Sequence, residues 1–186
     1  IGVGTFFNEI NEVNPGEILT INNEIIRKSY WSIPKNSNII DKGINYFEES
    51  TKELLEKVVK DHMVSDVDVG SLLSGGLDSS LITAMMIKKN IKTYSASFDS
   101  DEYNESEYAE YLSKIIGSNH KNITLNSSNY IDKLEKNISA RSIPLSIPHE
   151  IALSELFKEI SLNNKVVMSG EGADELFGGY GRVQSS

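Results

Sequence analysis

The sequence predicts an α/β fold in which helices cover both faces of a parallel sheet, preceded by a short N-terminal β-hairpin. Short apolar segments typical of buried strands alternate, from residue 43 onward, with segments whose apolar residues recur at helical spacing. A glycine-rich stretch at Ser74–Ser79 separates one of these strands from the following helix. Open α/β sheets bind ligands at such turns, beyond the carboxyl ends of their strands.

Composition limits the classes of protein to consider. The chain has 186 residues, of which 39% are apolar and 24% charged, as in globular proteins with one sizeable domain and a small appendage. Its net charge of -9 disfavours nucleic-acid partners, because phosphate backbones would be repelled. No apolar run approaches the ~20 residues of a membrane span, and no signal peptide opens the chain, so the cytoplasm is expected. The lack of cysteine excludes disulfides and thiol nucleophiles.

The first part of the chain predicts the hairpin. Ile18–Ile21 and Glu24–Trp31 have strand character, and Asn22-Asn23 between them suits a tight turn. A lone hairpin is barely stable in water, so we expect it to belong to a larger sheet. Alternatively it forms the edge of the following domain.

Helices and strands then alternate to the end of the chain. A polar linker at 34–42 precedes a helix from Gly43 to about Met63. The later predicted segments are a strand near Val67, a helix from the glycine stretch towards Lys88 and Lys89, a strand at Ile91–Phe98, a helix around Tyr108–Ile116 that stops at Gly117, a strand at His120–Leu125, a helix from about Tyr130 that Ser127 or Ser128 caps, a helix at His149–Ile160, and a strand at Lys165–Met168. We interpret His120 as structural.

The glycine stretch indicates an anion site. Gly75 and Gly76 allow a large anion to approach the backbone closely, and the N-terminus of the next helix offers unpaired N–H groups. Asp78 would repel a polyphosphate unless a divalent metal lies between them, since Mg²⁺ takes one or two carboxylates together with phosphate oxygens. Alternatively Asp78 is only a helix N-cap. No Gly-Lys-Ser/Thr follows, so this is not a P-loop.

A second glycine-rich motif runs from Ser169 to Tyr180 and follows a predicted strand, which brings it to the same sheet edge. Three carboxylates stand between its glycines. We select Asp174 as the second Mg²⁺ ligand and Glu171 as the acid that faces the reacting centre, and we interpret Glu175 as structural. Exchanged roles among these acids stay open.

The two motifs together carry a family resemblance. Ser74–Ser79 (Ser-Gly-Gly-Leu-Asp-Ser) resembles the pyrophosphate-binding loop of the ATP pyrophosphatases, and Ser169–Tyr180 resembles the second signature of glutamine-hydrolysing (class B) asparagine synthetases. The resemblance implies a Rossmann-like, three-layer fold of the adenine-nucleotide alpha-hydrolase type. It also implies that ATP and Mg²⁺ are used to convert aspartate to asparagine through an aspartyl-adenylate.

The resemblance further assigns residues to ATP and parts of the chain to domains. Leu72, Ala96 and Gly170 would border the adenine, in the region around Ala96–Asp99, and pyrophosphate would be bound by Ser74, Gly75, Gly76, Leu77, Asp78 and Ser79. Residues 1–34 would close a glutaminase domain that supplies ammonia, and residues 35–186 would form the N-terminal part of the synthetase domain. A homodimer is compatible with the sequence, which does not fix the oligomeric state.

Three further expectations depend on this resemblance. The family places a catalytic lysine downstream of the second motif and a nucleophilic cysteine at the N-terminus, so we expect this polypeptide to bind nucleotide without completing the amidation alone. The acceptor segment near Pro144 and Pro148 matches the family loosely, so a β-lactam synthetase or peptide cyclase remains an alternative. The other alternative is a non-catalytic nucleotide-binding module.

Overall fold

The computed structural model describes residues 4–34, 40–86, 90–98, 106–126, 128–147 and 149–180. It divides into two compact units, Ile1–Ile44 and Asn45–Ser186. Five positions used in the predictions above lie outside the described residues, namely Lys88, Lys89, Asp99, Ser127 and Pro148. Within the described ranges no helix has the length and apolar content needed to span a membrane.

The first unit contains the predicted hairpin. Strands β1 (Glu17–Ile21) and β2 (Ile25–Ser29) pair antiparallel. Ile21 pairs with Ile25, so three residues form the connection instead of the predicted two. The third, Glu24, is held because its backbone N–H donates to Asn22 Oδ1 at 3.3 Å and its carbonyl accepts from the Asn22 N–H at 3.2 Å.

The second unit is built around a parallel sheet, as predicted. Its four strands lie in the order β5-β4-β3-β6 and all pair parallel. Their bounds are β3 Val69–Leu72, β4 Lys92–Phe98, β5 Asn119–Leu125 and β6 Val166–Met168. Each agrees with a predicted strand to within a few residues, since buried runs of small and branched side chains mark them in the sequence.

Six helices are described, with the bounds α1 Ile44–His62, α2 Leu77–Met85, α3 Ser106–Ile116, α4 Tyr130–Arg141, α5 Glu150–Ser161 and α6 Ala173–Phe177. The first five were predicted, whereas α6 was not, because its five residues are too few for a helical period to show. The predicted Ser128 cap is wrong. Asn129 occupies the N-cap of α4 in a left-handed conformation without a side-chain cap bond, and the Ser128 N–H donates to Asn126 Oδ1 at 2.6 Å.

Helices cover both faces of the sheet, because two apolar clusters form on opposite sides of it. The first cluster joins α1 and α2 to the sheet through Val59, Val69, Met86 and Ile91. The second joins α5 to the sheet through Tyr94, Ile123, Leu125, Leu156 and Ile160. Successive strand residues alternate between the clusters, since Val167 packs on the second and Met168 on the first. The three-layer α/β prediction is confirmed.

The sheet also carries buried polar groups that the sequence did not reveal. His120 on β5 bonds Thr93 Oγ1 through Nδ1 at 3.0 Å and Ser95 Oγ through Nε2 at 3.2 Å. Burial lowers the pKa of His120, and the nearby Glu110 carboxylate opposes that shift. These two bonds between neighbouring strands agree with the structural role predicted for His120.

Candidate active site

The strand order creates a crevice at one point of the sheet edge. From β3 the chain proceeds to β4 and then β5, but β6 pairs with the opposite side of β3. Ser71 pairs with Met168, so the segments that follow β3 and β6 leave neighbouring strand ends. Ligands of open α/β sheets bind at such a reversal of strand order. The two glycine motifs are the segments that begin there.

The two motifs touch at Gly170. A Cβ atom at this position would lie 2.8 Å from the backbone N of Ser79 and 2.9 Å from the Cβ of Asp78. Such separations are shorter than real side-chain contacts, so only glycine allows the backbone after β6 to rest against the first turn of α2. The contact brings the second motif directly beside Asp78.

A cleft of about 250 Å³ lies between the motifs. Both predicted metal ligands, Asp78 and Asp174, line it, together with the predicted acid Glu171. Asp78 and Glu171 are exposed and Asp174 is half-buried. The remaining lining residues are Leu72, Ser74, Gly76, Ser79, Ser169, Gly170, Gly172, Glu175 and Tyr180.

Three of the predicted nucleotide-binding residues do not line this cleft. Gly75 has a φ of +93°, and its missing Cβ would lie 2.7 Å from Tyr108 Cβ. This glycine therefore allows the loop to pack closely against α3. Leu77 is 82% exposed. Ala96 packs against the cluster around Tyr94. Their roles towards ATP stay predictions.

The first turn of α2 is open to an anion. Its N-cap residue is Gly76, and no side chain among the described residues caps the helix. The alternative in which Asp78 serves as the N-cap is therefore wrong, because Asp78 lies inside the first turn. An uncapped helix start leaves N–H groups without intrahelical partners and places partial positive charge near them. These properties suit a phosphate group.

Ser79 organises the loop that precedes α2. Its Oγ accepts from the Ser74 N–H at 3.2 Å, lies 2.9 Å from Ser74 Oγ, and donates to the Gly76 carbonyl at 3.2 Å. Ser74 Oγ in turn accepts from the Gly76 N–H at 3.3 Å. The loop thus keeps a defined shape through its own hydroxyl groups.

The second motif is held around Asp174. The Asp174 carbonyl accepts from the N–H groups of Gly178 at 2.9 Å and Gly179 at 3.2 Å, and Gly179 lies against the Asp174 carboxylate. The Tyr180 hydroxyl donates to Glu175 Oε1 at 2.5 Å, which agrees with the structural role predicted for Glu175. Glu171 is exposed and lines the cleft, and its carboxylate makes no hydrogen bond or ion pair with the residues that the structure describes.

Asp78 and Asp174 carry the type of donor that would hold Mg²⁺ together with phosphate oxygens. Within the described ranges, no group of three or more acidic or histidine side chains is arranged to hold a metal. Asp78 and Asp174 nevertheless line one cleft together with three serines. Mg²⁺ needs only one or two protein carboxylates when phosphate oxygens and water complete its octahedron.

The fold and the cleft define an α/β domain whose candidate ligand site lies where the strand order reverses. Comparison with known proteins identifies the family within this class of α/β proteins. The family model "Asparagine synthase" matches residues 50–186, which is most of the chain. The chain therefore belongs to the asparagine synthase family.

Individual relatives agree with this assignment. Asparagine synthetase [glutamine-hydrolyzing] 1 of Bacillus subtilis is 32% identical over 175 residues, covering 92% of this chain and 27% of the relative. A putative asparagine synthetase of Mycobacterium bovis is 35% identical, covering 72% of this chain and 21% of the relative. This chain thus spans about a quarter of the length of these relatives.

Among solved structures, the NH3-dependent NAD synthetase of Campylobacter jejuni is similar in part. It is 21% identical, with a TM-score of 0.48, and the match covers 72% of this chain and 60% of that protein.

Proposed function

We propose that this chain forms the nucleotide-binding part of an ATP-dependent amide ligase that converts aspartate to asparagine. The observation that supports this proposal is the contact at Gly170, which brings Asp78 and Asp174 to one cleft beside the uncapped start of α2. The names of the relatives support the same function, since asparagine synthetases match most of the chain. We place this reaction in the cytoplasm and assign the ammonia supply to a glutamine-hydrolysing domain.

The reaction has two steps. An oxygen of the substrate side-chain carboxylate attacks the α-phosphorus of ATP, and the bond to the β-phosphate oxygen breaks, which gives an acyl-adenylate and pyrophosphate. Ammonia then attacks the acyl carbon. AMP leaves with the carboxylate oxygen, a proton is lost from nitrogen, and the amide remains. No redox partner is needed.

Each group of the cleft has a role in this proposal. The N–H groups at the start of α2 bind the leaving pyrophosphate, because they stabilise negative charge as it develops, and Ser74 maintains the shape of the loop through its bond to Ser79. Asp78 and Asp174 would hold Mg²⁺, which neutralises charge on the phosphates when it is bound. Glu171 lies on the second motif, where it can orient the incoming ammonia or contact the adenylate.

ATP–pyrophosphate exchange with the whole protein tests the reaction. We expect labelled pyrophosphate to enter ATP only when the acceptor acid is present, and aspartate to be the acid that stimulates it. Stimulation by a different carboxylic acid would instead identify a related amide ligase. Exchange that no acid stimulates, together with nucleotide binding, would favour a non-catalytic module.

Binding of MgATP to this chain tests the metal ligands separately. We expect Asp78→Asn and Asp174→Asn each to weaken MgATP binding by about tenfold or more, since each removes a charge from the metal's donor set. Asp61→Asn, which alters an exposed aspartate of α1 outside the cleft, should bind normally. Wild-type affinity in both cleft variants would contradict the assigned ligands.

A further inference from the structure

We propose that the hydroxyl groups of Ser71 and Thr83 form a positioning pair that holds the first turn of α2, and with it Asp78, for ATP binding. This inference rests on the proposed function because it concerns the same cleft. Ser71 lies on β3 and Thr83 on α2, and both side chains are 0% exposed. Their Oγ atoms are 2.7 Å apart. Neither residue lines the cleft.

The direction of these hydrogen bonds follows from the number of hydrogens. Thr83 Oγ1 donates to the carbonyl oxygen of Ser79 at 2.7 Å. Because a hydroxyl has a single hydrogen, we assign that of Ser71 to Thr83 at 2.7 Å, which is closer than its other acceptor, the Leu72 carbonyl oxygen at 3.3 Å. The donors therefore run in one order from the sheet through Thr83 to Ser79. A buried pair without access to water has no solvent substitute for either bond.

Ser79 connects this pair to the cleft. Its carbonyl is held by Thr83, while its Oγ binds Ser74 and Gly76 in the loop. Asp78 directly precedes Ser79 in the first turn of α2. The place of the Asp78 carboxylate thus depends on where Thr83 holds the Ser79 peptide. Because misplacements well below 1 Å already weaken a polar site, support behind the loop contributes to binding.

Thr83→Val removes the hydroxyl that bonds Ser71 and Ser79, at nearly constant side-chain volume. We expect MgATP to bind this variant about tenfold more weakly, and Thr83→Ser, which keeps the hydroxyl, to restore most of the affinity. Thr93→Val is the matched control. Thr93 is also 0% exposed and its Oγ1 lies 2.8 Å from Ser118 Oγ, but none of its described hydrogen bonds reaches the loop.

The control separates loss of stability from loss of position. Thr93→Val should lower the melting temperature as Thr83→Val does, yet bind MgATP with wild-type affinity. Equal weakening of binding in both variants, or wild-type binding in Thr83→Val, would overturn the positioning role. Ser71→Ala provides a second route to the same comparison and should behave like Thr83→Val even if that variant does not fold.

Amide hydrogen exchange gives a readout that needs no nucleotide. The Ser74 N–H, which donates to Ser79 Oγ, should exchange faster in Thr83→Val and Ser71→Ala but not in Thr93→Val. Unchanged exchange at Ser74 contradicts the positioning pair, whatever ATP does. A wild-type chain that fails to bind MgATP contradicts the proposed function instead, so the two failures can be told apart.

Discussion

At the scale of single residues, Gly170 decides whether the two motifs can meet. Its missing Cβ would overlap the backbone of Ser79 and the side chain of Asp78, at 2.8 and 2.9 Å. These neighbours belong to the first turn of a helix and cannot move independently. A methyl group at residue 170 would therefore push the segment after β6 away from Asp78.

We predict that Gly170→Ala costs about 1–3 kcal/mol of stability, the usual cost of overpacking, and also weakens MgATP binding about tenfold. Thermal unfolding and calorimetric titration measure the two effects. Gly117→Ala is the control, because its Cβ would meet no atom within 4 Å and only the φ of +73° is unfavourable. It should lose about 1 kcal/mol and bind normally. Normal MgATP binding by Gly170→Ala would contradict the close contact of the motifs.

His120 gives a residue-scale prediction about pH. Burial lowers its pKa in the folded protein, whereas the unfolded chain keeps a value near 6.5. Below about pH 6.5 the unfolded state thus binds a proton that the native state resists, and stability falls as the pH falls. Glu110 on α3 faces His120 and opposes this shift in part, while its own pKa is lowered by Lys114.

The measurement is the melting temperature between pH 7.5 and 5.5. We expect it to fall towards pH 5.5 in the wild-type chain and to change less in His120→Gln. The lowered carboxylate pKa values of Glu17, Glu110 and Glu150 place their contribution at more acid pH, below the usual 4.5. Parallel pH profiles for the two proteins would show that His120 is not responsible.

Among single residues, the sequence predicted the role of those that lie in a recognisable motif and not of the others. Asp78 and Asp174 could be assigned to one cleft because both follow strands within recognisable glycine motifs. The Ser71–Thr83 pair could not, since a serine in a strand and a threonine in a helix carry no pattern that shows they face each other. The adenine role that the resemblance assigns to Ala96 stays a prediction, because its packing on a core cluster is compatible with a place beside the base.

At the scale of elements, helix α2 packs on the sheet but lacks a side-chain cap at its first turn. Gly76 has φ -72° and ψ 164°, the extended conformation of an ordinary N-cap, where serine is preferred over glycine. A Cβ there would lie 3.5 Å from Ser74 Oγ, so a side chain can be accommodated. The missing cap is consistent with N–H groups kept for a ligand, and stability is commonly lower at such sites.

We predict that Gly76→Ser stabilises the free chain by about 0.5–1 kcal/mol, through a cap bond worth a few tenths and a smaller entropy loss on folding. The new hydroxyl competes with phosphate for the same N–H groups, so MgATP should bind more weakly. Chemical denaturation and titration would show opposite signs for the two effects. A variant that is both more stable and as tight in binding would argue against anion binding at this helix.

Sequence patterns gave most elements but not their ends. Helical periods located α1 to α5 because each extends over two turns or more. The short α6 has no such period, and the cap of α4 depends on Asn129 taking a left-handed conformation. Both features are set by local backbone geometry, which periodicity does not report.

At the scale of the whole molecule, the order of the strands positions the site. The sequence indicates parallel strands with helices between them, but several strand orders satisfy that pattern. The order β5-β4-β3-β6 results from how helices pack on both faces, which involves residues far apart in the chain. The prediction that both motifs share one edge succeeded because every parallel strand ends at that edge.

The division into two units leads to the last prediction. All residues that line the cleft and both apolar clusters lie after residue 44, and the family match begins at residue 50. We therefore expect a shorter chain of residues 40–186 to unfold cooperatively and to bind MgATP as the full chain does. This shorter chain keeps the bond from the Gly43 N–H to Asp41 Oδ1 at 2.8 Å. Circular dichroism and calorimetric titration on both chains test this. If the shorter chain aggregates or loses MgATP binding, the second unit needs the hairpin, and the interpretation of the first unit as the end of a separate domain fails.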